Sequence, residues 1–213
     1  MDKKMNKKTA LLVIDMQNDF MQEGAVLEVK GIRKSIPKFK EFINKLRKKG
    51  IIIIYTKHIF DPINNPVEAK LYPFLAKKGL RDNTFGTDIF GELKPSAEDL
   101  IIKKRRYDSF IGTELESALR CRGIENLIIT GTMTNVCCES TARTAMMKDF
   151  NVLFCSDLTF TSDSDIHKNT LKNILAHFGK VMSSEEISRL FWSKTLSKKL
   201  SSDKSNNHLN PKT

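Results

Sequence analysis

Residues 50–55 read GIIIIY, and the four consecutive isoleucines of this stretch decide which class of fold the chain adopts. Isoleucine is β-branched and favours extended backbone, so the run is typical of a strand. Antiparallel strands with one face in water alternate apolar and polar side chains, whereas parallel strands are apolar throughout because helices cover both faces of the sheet. The stretch therefore predicts a strand buried on both faces of a parallel sheet.

Similar apolar runs and stretches with helical spacing continue on both sides of this strand. Further strands are predicted at residues 10–14, 100–102, 127–130 and 152–154. Helices are predicted at residues 32–49, 112–122, 136–148 and 166–178, followed by a final strand and helix within residues 180–191. Strands that alternate with helices form parallel sheets. The sequence therefore predicts an α/β fold of three layers, α/β/α, with a mostly parallel central sheet.

The 213 residues divide into one domain and two polar ends. We expect a basic N-terminal extension at residues 1–8, a single domain at residues 9–192, and a polar, lysine-rich tail at residues 193–213 that is disordered. Residues 58–99 contain four of the six prolines and little periodicity, so we interpret them as a long connection with short elements of its own. Connections of that length are often functional.

The net charge of +11 does not indicate a nucleic-acid-binding protein, because most of it lies at the two ends. Residues 1–9 carry +3 and residues 194–213 carry +4, which together make seven of the eleven charges. The remainder is spread over a body without a nucleic-acid-binding motif, so we expect no specific nucleic-acid partner. No apolar run is long enough to span a bilayer or to form the core of a signal peptide. We therefore predict no membrane partner and a cytoplasmic location.

The cysteines and histidines argue against disulfides and against a metal cofactor. The four cysteines form no CxxC pair, and without a secretory segment we expect reduced thiols. The four histidines show no HExxH or HxH spacing, so the sequence predicts no bound metal.

Three chemically active side chains each follow a different predicted strand. Asp15 ends the first strand, Lys104 follows the third, and Cys137 follows the fourth through a turn that opens a helix. Active sites of parallel sheets lie at the carboxyl ends of the strands. Each residue taken alone has an ordinary interpretation: a turn or capping aspartate, a solvated lysine, a small buried helix residue. A helix N-terminus lowers the pKa of a thiol, so together the three predict an activated cysteine.

Three ordered motifs carry a resemblance to a known family. They are ALLVIDMQNDF at residues 10–20, KRRYDSFIGTEL at 104–115 and ITGTMTNVCCESTARTA at 129–145. The chain resembles the isochorismatase-like cysteine hydrolases, which include nicotinamidases, N-carbamoylsarcosine amidohydrolases and ureidoacrylate amidohydrolases. The resemblance implies the isochorismatase-like hydrolase fold and a catalytic triad of Asp15, Lys104 and Cys137. The family pattern at the lysine is lysine, any residue, arginine and an aromatic residue, which Lys104 fits and Lys103 does not. The family nucleophile lies six positions after a glycine, here Gly131, which selects Cys137 rather than Cys138.

The resemblance also implies how the site is built and what it does. It implies a cis peptide between Thr132 and Met133, and an oxyanion hole formed by the backbone N–H groups of Met133 and Cys137. The implied reaction is cysteine-dependent hydrolysis of a C–N bond in a small amide or ureide through a thioester, without a cofactor. Plausible pocket aromatics are Phe20, Tyr107 and Phe110, each of which could equally be an ordinary core residue.

Further implications concern metals, assembly and alternative functions. Nicotinamidases carry a metal-binding pattern like DxHxxxxH after the second strand, whereas this chain has a single histidine, His58, in that stretch, so we expect no metal. The family resemblance suggests a homo-oligomer, a dimer or tetramer. Two alternative functions stay open: an isochorismatase-type hydrolase of vinyl ethers, and a catalytically silent binding or scaffold member of the fold. The substrate itself is not predicted.

Overall fold

The structure is a computed structural model that describes Asn6 and residues 8–192. The predicted disordered tail at residues 193–213, and most of the basic extension at residues 1–8, lie outside the described residues. The domain boundaries therefore remain a prediction.

Strands and helices alternate along the chain as the sequence predicts. The strands are β1 (Thr9–Ile14), β2 (Ile52–His58), β3 (Leu100–Lys104), β4 (Asn126–Thr132), β5 (Asn151–Phe160) and β6 (Lys180–Met182). The α-helices of the described residues are α1 (Asn18–Met21), α2 (Ile36–Lys48), α3 (Pro66–Leu71), α4 (Leu115–Arg120), α5 (Glu139–Met147), α6 (Ser164–His177) and α7 (Ser184–Trp192). Short 3₁₀ turns occur at Ile32–Ser35, Phe85–Thr87 and Gly91–Leu93, and a π-helical turn occurs at Thr134–Cys138.

The strands form one sheet in the order β3-β2-β1-β4-β5-β6, and every neighbouring pair is parallel. The predicted α/β class is confirmed, and the sheet of the described residues is entirely rather than mostly parallel. The chain moves outward from β1 in one direction as far as β3 and then returns to place β4 on the other side of β1. In open parallel sheets, the crevice at such a reversal is where ligands bind.

Two apolar cores lie on opposite faces of the sheet. Side chains of successive residues in a strand point to opposite faces, and Leu11 and Val13 accordingly pack in one core while Leu12 and Ile14 pack in the other. Helices α2 and α7 cover the first face, and helices α4, α5 and α6 cover the second. The three-layer arrangement follows, because both faces of each central strand are apolar. No helix of the described residues is long and apolar enough to cross a membrane.

Several predicted boundaries differ from the observed ones. The helix predicted at residues 112–122 is shorter, because Gly112 and Gly123 adopt left-handed backbone with φ of 66° and 64°. The helix predicted at residues 136–148 begins instead with the π-helical turn and becomes α-helical only at Glu139. Strand β2 extends to His58, three residues beyond the predicted end, because it pairs with β3 from Ile54 as far as His58. The connection after it carries short elements, as expected.

Candidate functional site

Asp15 lies at the carboxyl end of β1 and is completely buried. Its φ of 51° is left-handed, a conformation that aspartate tolerates better than most residues. Thr56 on the adjacent strand β2 donates its hydroxyl to Asp15 Oδ1 at 2.6 Å and accepts the Asp15 N–H at 3.1 Å. These two hydrogen bonds fix the carboxylate and leave Oδ2 available for other partners.

Lys104 ends β3 and extends its side chain under the carboxyl ends of the strands. Its Nζ lies 2.7 Å from Asp15 Oδ2, and neither side chain is exposed. The two side chains form a buried ion pair. Burial disfavours the charged lysine, but the negative charge of Asp15 and the nearby Cys137 outweigh burial and raise the pKa of Lys104. Lys104 is therefore a buried cation at neutral pH.

Cys137 follows β4 in the π-helical turn and is 4% exposed. Its Sγ and a side-chain ligand atom of each of Asp15 and His58 lie within 4.8 Å of one another. The structure therefore brings Asp15, Lys104 and Cys137 together although they are far apart in sequence. The catalytic role of these residues remains a prediction at this point.

The expectation of a low thiol pKa is wrong, because the pKa of Cys137 is raised. Burial raises the pKa of Cys137, Lys104 opposes the increase, and the carboxylate of Asp15 adds to it. The turn that holds the thiol is π-helical rather than the first turn of an α-helix, and desolvation of a buried thiolate is a larger effect than the dipole of a helix end. Cys137 is therefore a neutral thiol at rest, and it needs a base to become a nucleophile.

The turn between β4 and α5 contains the cis peptide that the resemblance implied. The peptide bond between Thr132 and Met133 is cis. The Met133 carbonyl accepts hydrogen bonds from the N–H groups of Val136 and Cys138, both at 3.1 Å. The Cys138 side chain is completely buried and directs its Sγ towards the Thr130 carbonyl at 3.9 Å. Cys137, unlike Cys138, lines a cavity. The oxyanion hole at Met133 and Cys137 remains a prediction.

A mostly apolar cavity of about 230 Å³ opens above the Cys137 thiol. Its lining side chains come from helices α1 and α3, from the end of β2, from the π-helical turn and from several loops. They are Phe20, Leu27, His58, Glu68, Tyr72, Phe74, Leu75, Leu80, Tyr107, Met133, Val136 and Cys137. Phe20 and Tyr107 thus line this cavity, whereas Phe110 does not. Phe110 packs in the core on the second face of the sheet, where its ring stacks on that of Phe150 with centroids 5.9 Å apart. Assignment of Phe110 to the pocket is therefore wrong.

Two polar residues of the cavity are not predicted by the sequence. His58 ends β2 opposite Lys104 in the strand register, but β2 is predicted to end at Tyr55, which leaves His58 in the connection. Asp15 is a candidate because it lies at the carboxyl end of a predicted strand. His58 would be a candidate for the same reason if β2 were predicted to its full length. Glu68 lies on α3, in a segment without clear periodicity, and no sequence signal indicates that it lines the same cavity as Cys137.

The donor atoms at the site are close together, but a lysine ammonium already lies among them. Among the described residues, Asp15, His58 and Cys137 form a group whose donor atoms are close enough to share an ion. The Lys104 ammonium, however, lies 2.7 Å from Asp15 Oδ2 and 3.2 Å from His58 Nδ1. A fixed positive charge on two of the three donors repels a metal cation. The residues at this position therefore fit an ammonium group and do not fit a metal ion.

The pKa shifts predict how each charged neighbour affects labelling of Cys137. Because Lys104 lowers and Asp15 raises the pKa of the thiol, Lys104→Met should slow alkylation at a given pH severalfold, and Asp15→Asn should accelerate it severalfold. Iodoacetamide labelling from pH 6 to 10, with the modified residue located by tandem mass spectrometry, measures both rates.

Lys103→Met is the matched control for this experiment. Lys103 precedes Lys104 in the chain, but its side chain is half-exposed and pairs with Asp82 at 2.8 Å. Its removal should leave the labelling of Cys137 unchanged, and circular dichroism would show whether each variant is folded. Changes of the same sign in the Lys104 and Asp15 variants would contradict the electrostatic assignment.

Comparisons with known proteins agree with this fold. The isochorismatase domain matches residues 9–186. The chain is 34% identical over 196 residues to the ureidoacrylate amidohydrolase RutB of Yersinia enterocolitica, a match that covers 81% of this chain and 84% of that protein. It is 30% identical over 210 residues to the protein of the same name from Acinetobacter baylyi, covering 87% of this chain and 84% of that one. A cysteine hydrolase from Pseudomonas syringae pv. phaseolicola has a similar structure, with a TM-score of 0.84, 28% identity, and coverage of 88% of this chain and 93% of that one. This chain therefore belongs to the isochorismatase family.

Proposed function

We propose that the protein is a cysteine-dependent amidohydrolase that cleaves a C–N bond of a small amide or ureide through a thioester. The observation that carries the proposal is the buried ion pair of Lys104 and Asp15 beside Cys137, at the floor of a cavity. Burying two opposite charges is unfavourable unless geometry and hydrogen bonds compensate for it, so such a pair next to a thiol is typical of a catalytic site.

The geometry supports a mechanism in which Asp15 acts as the base. Asp15 accepts the thiol proton, and the Lys104 cation stabilises the thiolate, which the burial of Cys137 otherwise disfavours. The thiolate attacks the substrate carbonyl, a C–S bond forms, and the oxyanion is stabilised by the backbone N–H groups of Met133 and Cys137. Asp15 gives the proton to the leaving nitrogen as the C–N bond breaks.

The second half of the cycle releases the acyl group. Water takes the place of the leaving amine, and Asp15 removes its proton as the oxygen attacks the thioester. The C–S bond breaks, and the thiolate takes the proton back from Asp15. The starting state is restored, with Lys104 positively charged throughout. These steps use groups of the chain and water alone.

The cavity supports a small, planar substrate that carries N–H groups. Its walls are mostly aromatic and aliphatic, and the Glu68 carboxylate is a polar acceptor among them. One Glu68 oxygen accepts a hydrogen bond from the Asn65 side chain at 3.0 Å. Because each carboxylate oxygen can accept more than one hydrogen bond, the group keeps acceptor capacity for a ligand. Ureides present N–H groups on both sides of the carbonyl, and relatives of this chain are named ureidoacrylate amidohydrolases. We therefore propose ureides ahead of simple carboxamides.

The two alternative functions are less compatible with this site. A hydrolase of vinyl ethers has no need of a thiol beside a buried lysine–aspartate pair. A silent scaffold protein has no need to retain all three groups within contact of each other. A homo-oligomer and a cytoplasmic location remain predictions from the sequence.

The proposal is tested by trapping the covalent intermediate. The purified protein is mixed with ureidoacrylate, an N-carbamoyl amino acid, a simple carboxamide and isochorismate, quenched rapidly, and analysed by mass spectrometry while ammonia release is followed. We expect an acyl or carbamoyl adduct on Cys137 with at least one amide or ureide. Cleavage of isochorismate without an adduct would favour the vinyl-ether function. A protein that alkylates at Cys137 but hydrolyses none of these compounds would support the scaffold function instead.

A further inference from the structure

His58 joins the two halves of the site, and the proposed mechanism does not use it. Its backbone is held by Gln17, which accepts the His58 N–H at 2.7 Å and donates to the His58 carbonyl at 3.1 Å. The side chain is 1% exposed and lies between the Lys104 ammonium on one side and the Glu68 carboxylate on the other. A histidine that serves only as core packing is rarely buried between two charged groups with its backbone held by side-chain hydrogen bonds.

The contact with Lys104 determines where the ring proton lies. Lys104 Nζ is 3.2 Å from His58 Nδ1, and an ammonium group can only donate. Nδ1 must therefore accept, and a neutral ring with an accepting Nδ1 carries its proton on Nε2. Burial and the positive charge of Lys104 lower the pKa of His58 to about 3, so the ring stays neutral over the physiological range.

The Nε2–H group of this tautomer faces Glu68. Nε2 is buried without a hydrogen-bond partner among the described residues, and it lies 3.6 Å from Glu68 Oε1. That distance exceeds the usual 2.7–3.2 Å of a hydrogen bond, but the pair would bond after a shift of about half an ångström. Helix α3, which carries Glu68, has no fully buried residue, and its apolar contact with the core is made by the partly buried Ala69.

We propose that His58 is a positioning residue, whose Nδ1 orients the Lys104 ammonium and whose Nε2–H closes onto Glu68 Oε1 to keep that carboxylate ionised and directed at the substrate. Substrate N–H groups would draw Glu68 inward and complete the bond. The inference rests on the proposed function for its kinetic consequences, but the tautomer of His58 is independent of any substrate.

The electrostatic surroundings make the role of His58 measurable through Glu68. Burial raises the pKa of Glu68, while Asn65, Lys104, Arg106 and Tyr107 lower it. An N–H donor at Oε1 also favours the carboxylate, so loss of His58 should raise the pKa of Glu68 further. Asp15, Lys104 and Arg106 are the charged groups that act on His58 itself. Since Glu68 must be ionised to accept substrate N–H groups, the acidic limb of kcat/KM should move to higher pH when His58 is replaced.

The first test needs no substrate. Long-range ¹H–¹⁵N NMR of the histidine rings distinguishes the two neutral tautomers and the cation, and His58→Gln identifies the signals of His58 by their loss. We expect the neutral, Nε2-protonated form from pH 5 to pH 8. A cationic ring, or the Nδ1-protonated tautomer, would overturn the proposal whether or not the protein is an amidohydrolase.

The second test is a double-mutant cycle on a substrate identified by adduct formation. His58→Phe should lower kcat/KM about tenfold or more at pH 7 and move the acidic limb upwards, whereas His58→Gln, which keeps a donor and an acceptor, should restore much of the activity. When Glu68 has first been replaced by Gln, the additional change His58→Phe should lower log(kcat/KM) by less than half as much as it does in the natural protein. It should then leave the acidic limb of the pH profile unchanged. Equal losses of kcat/KM in both backgrounds would overturn the coupling of His58 to Glu68.

Activity that survives Cys137→Ala would instead contradict the proposed function, so the two failures are distinguishable.

Discussion

Replacement of Cys137 by alanine should abolish hydrolysis and leave the fold intact. The thiol supplies the only bond to the acyl group in the proposed cycle, and removal of a catalytic nucleophile in comparable hydrolases lowers kcat on the order of 10⁴-fold or more. The substitution removes one sulfur atom and leaves the Lys104–Asp15 ion pair unchanged, so we expect little loss of stability. Steady-state ammonia release, with thermal unfolding measured on the same samples, separates the two effects.

Two other cysteines provide the controls for this prediction. Cys121 is exposed and lies at the end of α4, away from the cavity, so Cys121→Ala should retain full activity. Cys138 is adjacent in sequence but buried against Thr130, so Cys138→Ala should retain activity within a few-fold and lose some stability. Residual activity of Cys137→Ala within tenfold of the natural protein, or loss of activity in Cys138→Ala alone, would contradict the assignment of the nucleophile.

Gly131→Ala should destabilise the protein by about 4 kcal/mol or more, which is at the upper end for single substitutions. Gly131 has a φ of 116°, in the left-handed region, and pairs with Ile14 across the β1–β4 ladder. A Cβ atom at this position would lie 2.0 Å from the Ile14 carbonyl oxygen, which belongs to backbone that cannot move aside. The register of β4 with β5 also shifts at this point.

The loss of stability has a consequence for the site. Ile14 immediately precedes Asp15, and Gly131 precedes the turn that holds Cys137, so the close approach of the two backbones brings base and nucleophile together. Urea denaturation followed by circular dichroism gives the free energy of unfolding. Gly91→Ala is the matched control, because its φ is not left-handed and an added Cβ would meet nothing within 4 Å. If the free energy of unfolding of Gly131→Ala were within 1 kcal/mol of that of the natural protein, the two strands would have moved apart at little cost and the prediction would be wrong.

Much of the fold was predictable because its signals are local. The apolar runs that become β1 to β5 are recognisable in the sequence, since a strand covered on both faces needs apolar residues at consecutive positions. Errors occurred at the ends of elements, where tertiary pairing extended β2 to His58 and glycines shortened α4. The prediction of a mostly parallel central sheet is confirmed, and within the described residues every pair of neighbouring strands is parallel.

The candidate site was predictable only in part, for a related reason. Asp15, Lys104 and Cys137 each follow a strand, and the carboxyl ends of parallel strands necessarily meet at one edge of the sheet. Phe110 follows Lys104 by six residues, yet the chain turns through the sheet edge and directs it into the core on the second face. Spacing from a strand end predicts closeness to the edge, but it does not predict on which side of the sheet a loop residue packs.

The sequence by itself determined the order of strands and helices, the three reactive side chains and the family, because each depends on residue type and spacing over a short stretch. The tertiary structure alone decided the charge state of the thiol, the proximity of His58 to Lys104, and the presence of Glu68 in the cavity. These properties depend on burial and on charges from segments 30 to 120 residues apart, through desolvation and Coulomb interactions that act across space. The same physics gives Cys137 a raised pKa at rest, although its position at the start of a helical segment indicated the opposite.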